Sequence, residues 1–141
     1  MTPAARLAAA AELLAAIGAA ATPAEQHVGS YFRNRRYAGS KDRRWVTEFV
    51  YRALRRQGEL DAVSLAAGLE VSPRSHCLLS LILFEDVAVE ALAAGWFGGA
   101  HGLDDLTPEE AAALEKAAEI DLESLPLAAR CNFPDWLPRK L

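Results

Sequence analysis

A chain of 141 residues can bury a core of its own but is short for a catalytic domain with a second module, so one globular unit is expected. Its net charge of −4 hides an uneven distribution: nine of the 15 Lys and Arg fall between Arg33 and Arg56, with only Asp42 and Glu48 to offset them. That stretch is +7 and the remainder −11, so the average charge is a poor guide to partners.

Alanine supplies much of the hydrophobic content, and together with Leu, Glu and Arg it favours helix, while β-branched residues are sparse. No uninterrupted apolar run approaches the ~18 residues that would suggest a membrane span. Cys77 and Cys131 form no CxxC or Cys/His cluster, so neither a disulfide framework nor a zinc site is indicated, and a reducing cytoplasm is the expected compartment.

In chain order, "MTPAARLAAAAELLAAIGAAA" has the alanine content of a signal peptide. Glu12 interrupts its apolar run, however, and only Arg6 supplies early positive charge, so an amphipathic first helix is predicted. "TPAE" at Thr22 reads as a capping box opening a second helix that ends near Tyr37. Gly39 permits a break, and Ser40 is placed to cap a third helix running to about Arg56. A fourth covers Glu59 to Ala67. After "SPRS", "HCLLSLILFEDVAVEALAAGW" reads as one fifth helix, apolar nearly all round through Phe84 and therefore surrounded by others. Trp96 and Phe97 tuck into a core edge, "TPEE" at Thr107 opens a sixth helix, and a proline-rich tail follows, anchored by Trp136 and Leu137. The fold class is all-α: a helical bundle of about six helices with an extended C-terminal tail.

Residues 41 to 56 sort cleanly on a helical wheel. Trp45, Val46, Phe49, Val50 and Ala53 form a buried stripe, and Lys41, Arg44, Glu48, Arg52 and Arg55 fall on the opposite side. Arg33 and Arg36 stand just before the turn. A solvated helix face is the ordinary explanation for such arginines, and an Arg44-Glu48-Arg52 ladder would fit it. Yet Lys41, Arg43 and Arg44 occupy a first helical turn, where the dipole disfavours cations. Cations beside free amide donors suit phosphate. The candidate polyanion surface is Arg33, Arg35, Arg36, Tyr37, Lys41, Arg43, Arg44, Arg52, Arg55 and Arg56, with Tyr37 the best-placed ring for stacking on a base. Asp42 falls on the buried side and reads as a structural partner for a nearby Arg or amide. Catalytic patterns are missing: there is no GxGxxG, no Walker loop, and His27, His76 and His101 lie far apart. His76 and Cys77 adjoin but point about 100° apart on a helix.

"YFRNRRYAGSKDRRWVTEFVYRALR", Tyr31 to Arg55, with the closing "FPDWL", Phe133 to Leu137, resembles the N-terminal region of the RsmB/Nop/Sun family of ribosomal RNA methyltransferases. That region is similar in fold to the antitermination factor NusB, an all-α RNA-binding bundle. The resemblance implies a NusB-like domain over residues 1–130, with 131–141 starting a linker toward a catalytic domain. It further implies an enzyme that transfers a methyl group from S-adenosylmethionine to carbon 5 of an rRNA cytosine. The family's catalytic Pro-Cys dipeptide is not in this sequence, since Cys77 follows His76 and Cys131 follows Arg130. No cofactor is therefore expected in this chain, with S-adenosylmethionine belonging to the full-length enzyme; the expected partners are rRNA and the downstream methyltransferase domain. A NusB-type RNA site uses basic residues on the first helix, where this chain offers only Arg6, so its RNA surface falls to Arg33 through Arg56. Two other readings stand beside this one: a scaffold whose basic face docks on the catalytic domain without meeting RNA, and a free-standing nucleic-acid-binding module. A helix-turn-helix DNA reader is disfavoured, because the third helix exposes no Asn or Gln for adenine.

Overall fold

The structure, a computed structural model, describes residues 1–20, 22–99 and 102–125. His101, Cys131 and the 133–137 segment lie outside the described residues, as does the expected tail anchor. Every regular element among the described residues is helical: α1 (Pro3–Ala19), α2 (Ala24–Arg33), α3 (Ser40–Arg55), α4 (Gln57–Ala67), α5 (Pro73–Phe84), α6 (Val89–Gly95), α7 (Pro108–Ala118) and a 3₁₀ turn at Leu122–Ser124. None of these helices is long and apolar enough to cross a membrane.

The all-α class follows, with local chemistry setting the helix starts. Thr107 and Glu110 form a full capping box, and Ser72 Oγ accepts from Ser75 N–H at 3.1 Å. A third start of this kind, which the sequence reading passed over, is Thr2: its Oγ1 accepts from Ala5 N–H at 3.1 Å, with Pro3 following at the first helical position. The box expected at Thr22 does not form. Pro23 occupies the cap position of α2 without a side-chain bond, and the Thr22 hydroxyl pairs with His27 Nε2.

Two further boundaries differ from expectation. The long fifth helix is in fact two, α5 and α6, because Asp86 takes a left-handed φ of 55° and Val87 N–H folds back to the Leu81 carbonyl at 3.0 Å. Such a conformation is uncommon for a non-glycine residue, though Asp tolerates it better than most. The second helix stops at Arg33, not near Tyr37, so Arg36 and Tyr37 belong to a turn between helices.

The chain divides into two compact units, Met1–Tyr51 with Glu90–Leu106, and Arg52–Val89 with Thr107–Leu141. In the first, α1 packs on α2. Leu7, Ala9, Ala10 and Leu13 of α1 and Val46, Phe49 and Val50 of α3 are buried. Runs of buried alanine let backbones approach closely, while Leu7, Leu13 and Phe49 supply the apolar area, each contributing roughly 1.5–3 kcal/mol. Trp45 stacks on Phe49 with ring centroids 4.7 Å apart and lies 5.8 Å from Trp96. In the second unit α4, α5 and α7 pack pairwise around Leu60, Val63, Leu78, Leu81 and Leu114. Gly68 ends α4 at φ 82°, with Leu69 N–H donating to the Ser64 carbonyl and Gly68 N–H to that of Leu65, which satisfies two otherwise orphaned acceptors.

Candidate nucleic-acid interface

The turn from 34 to 39 and the start of α3 are held by one carboxylate. Asp42 is the third residue of α3, and its Oδ2 accepts from Gly39 N–H at 3.3 Å, so Asp42 and not Ser40 completes this helix start. The same group receives the Met1 ammonium at 3.1 Å and Arg6 Nε at 2.7 Å. Hydrogen bonding from Arg6 holds the Asp42 carboxyl below its ordinary value despite burial, with the ammonium and the Gly39 amide adding to that effect. The structural partner expected for Asp42 is thus an arginine 36 residues away, one that local spacing could not name. A second brace comes from Arg43, whose Nε donates to the Ala38 carbonyl at 3.1 Å, and Ala38 itself is buried.

The nine basic candidates separate into two kinds. Three arginines have carboxylate partners. Arg35 stacks over the Tyr31 ring at 3.7 Å with Glu12 3.6 Å from its Nη2, Arg52 meets Glu85 at 3.2 Å, and Arg56 grips buried Glu59 with both nitrogens at 3.1 and 2.8 Å while lying over Phe84. Arg52 is accordingly half-buried and not on an open helix face. By contrast Arg33, Arg36, Lys41, Arg43, Arg44 and Arg55 are exposed, and among the described residues none has a carboxylate within ion-pair distance. The Arg44-Glu48-Arg52 ladder is not formed. Arg55 falls in the second unit; the other five cluster at the end of α2, the turn and the first turn of α3.

Three of those five, Arg33, Arg36 and Arg43, line a groove of ≈ 480 Å³ with Val28, Gly29 and Phe32 as its remaining walls. Gly29 matters here for space: a Cβ built on it would meet nothing within 4 Å, so the groove floor stays open. Mid-helix glycine costs about 0.5–1 kcal/mol against alanine, a cost that no packing contact at this position explains. The arrangement suits a phosphate. Three arginines along a partly apolar groove offer charge and fork-shaped donors.

The remaining chemistry is structural. Cys77 is fully buried, and burial pushes its thiol up to about 12, so it is a neutral thiol at pH 7 and no nucleophile. His76 Nε2 lies 2.7 Å from Asp61 Oδ1, a pair with no hydroxyl or thiolate to activate. Arg74 forks onto Glu110 at 2.7 and 2.9 Å, holding that carboxyl below its usual range. S-adenosylmethionine carries a sulfonium cation, which a groove walled by three arginines does not suit. No protein-family model matches the chain, and no curated protein or solved structure shows significant similarity to it.

Proposed function

We propose that this chain is a cytoplasmic RNA-binding domain that holds rRNA for a methyltransferase domain acting on carbon 5 of cytosine. The observation that carries the RNA reading is the sorting of the arginines: Arg33, Arg36, Lys41, Arg43 and Arg44 stay exposed without carboxylate partners on a braced turn, while Arg35, Arg52 and Arg56 nearby in sequence find partners. A chain that is −4 overall and surrounds its cations with acid elsewhere leaves this cluster uncompensated, and a polyanion compensates it. The assignment to a methyltransferase rests on the motif resemblance of Tyr31 to Arg55. Methyl transfer and S-adenosylmethionine binding belong to the catalytic partner, and the part played by this chain is electrostatic capture and orientation.

Fluorescence anisotropy with structured rRNA fragments tests the reading. The chain binds them with an affinity that falls steeply with salt, and the combined change Arg36→Ala, Arg43→Ala and Arg44→Ala weakens binding and flattens the salt dependence. Unchanged binding by that variant would remove the site assignment.

A further inference from the structure

Between α1, the end of α2 and the following turn lies a second opening of ≈ 460 Å³, within the usual range of small-ligand sites of about 300–1,000 Å³. Its chemistry is different. Ala5, Ala8 and Ala9 of α1, the last two buried, line it with short apolar side chains that leave room for a flat ring beside the polar groups of Met1, Glu12, Asn34 and Arg35. Tyr37, at its rim, is 65% exposed and the most exposed aromatic of the described residues. Its backbone is nevertheless fixed, since Ala38 next to it is buried, donates N–H to the Arg35 carbonyl at 3.2 Å and accepts from Arg43. A rigidly mounted aromatic left in water beside such short apolar side chains is a stacking platform.

The exposed polar side chains that line the opening can serve the same kind of ligand. Glu12 Oε2 accepts from Tyr31 O–H at 2.9 Å and faces Arg35, and burial together with that bond raises the Tyr31 phenol well above its ordinary value. Glu12 Oε1 and the Asn34 amide have no partner among the described residues. A carboxylate oxygen and an amide oxygen accept from an exocyclic amino group, which adenine, cytosine and guanine carry. Uracil lacks that group and offers only its N3–H to an acceptor; the acceptor-only Glu12 carboxylate therefore carries the preference, while the Asn34 amide can turn its oxygen or its NH2 to the base.

We propose that this opening receives one unpaired, amino-bearing nucleobase, stacked on Tyr37 and read by Glu12 and Asn34, while its phosphate lies on the arginine side of the turn. The proposal rests on the RNA reading above and sharpens it: the RNA taken at this turn is single-stranded, because a base within a duplex cannot present its face to Tyr37.

Anisotropy measurements on the 141-residue chain with short oligo(A), oligo(C) and oligo(U) strands and a blunt duplex test it at one salt concentration. Amino-bearing single strands bind at least several-fold more tightly than oligo(U) or duplex. Tyr37→Ala loses roughly 5- to 150-fold with an unchanged salt slope, Tyr37→Phe retains binding, and Glu12→Gln narrows the gap between oligo(C) and oligo(U). Because Tyr37 and Glu12 are exposed, these changes leave the fold intact, which circular dichroism verifies. Binding that depends on the arginines yet ignores Tyr37, base identity and strandedness overturns the base pocket and leaves the RNA reading standing. No binding to any RNA overturns both.

Discussion

Replacing Asp42 with Ala removes a group that ties the N-terminus and α1 to the turn before α3. Its side chain is only 12% exposed, that of Met1 3% and that of Arg6 29%. Deleting one partner of a buried, hydrogen-bonded ion pair costs about 3–5 kcal/mol, most of it from stranding the other charge. Arg6 is partly exposed and can turn toward water, and Met1 is half-buried, so both cations recover some hydration, which puts the expected cost at the lower end of that range. A loss of about 3 kcal/mol is therefore expected for Asp42→Ala, and about 2 kcal/mol for Asp42→Asn, which keeps an acceptor oxygen but not the charge. At roughly 3 °C per kcal/mol for a chain of this size, the melting temperature falls by about 10 °C in the Ala variant. The pH dependence gives a second check. A carboxyl held below its ordinary value stabilises the fold above its unfolded pKa of about 4 and loses that contribution as pH falls through the folded value. Urea unfolding at pH 7 shows the full gap between wild type and Asp42→Ala, and the gap closes below about pH 4. A variant within ~0.5 kcal/mol of wild type at pH 7, or a gap that persists undiminished in acid, refutes the reasoning.

Other expectations follow from single positions. Gly68→Ala at φ 82° destabilises the second unit by about 1–2 kcal/mol in urea unfolding, since a Cβ is strained there. Gly29→Ala has the opposite sign, stabilising α2 by about 0.5–1 kcal/mol, whereas Gly29→Leu keeps the fold but fills the arginine groove and weakens RNA binding in anisotropy. The fully buried Cys77 thiol resists iodoacetamide at pH 8 in the native protein and reacts after urea unfolding, as peptide mass mapping reads out.

Much of the fold was legible because its signals are local. The Thr-Pro and Ser-Pro helix starts at Thr107 and Ser72 and the stripe of Trp45, Val46, Phe49, Val50 and Ala53, of which all but half-buried Trp45 are buried, act within a turn or two of the chain. The break at Asp86 was not legible, because nothing in "FEDVAVE" demands a left-handed residue. Nor did the sequence separate the arginines without a carboxylate from those with one. Arg52 finds Glu85 and Arg6 finds Asp42 across 33 and 36 positions, distances at which spacing carries no information. Arg56 is the exception: Glu59 stands three residues on, an i, i+3 pair that could have marked it as engaged. Asn34 and Glu12 escaped notice as candidate base contacts for the same reason, since only the packing of α1 on α2 brings them to one opening.

The central claim, that the unpartnered arginines and not the paired ones meet the polyanion, is tested most directly by salt slopes. Log affinity for a single-stranded RNA is measured against log salt for wild type, for Arg36→Ala with Arg43→Ala and Arg44→Ala, and for Arg52→Gln. Each lost phosphate contact removes about 0.7 from the slope, so the triple variant flattens by about 2 while Arg52→Gln leaves it unchanged. Equal slopes for wild type and the triple variant, or an equal loss per residue in Arg52→Gln, would contradict the account.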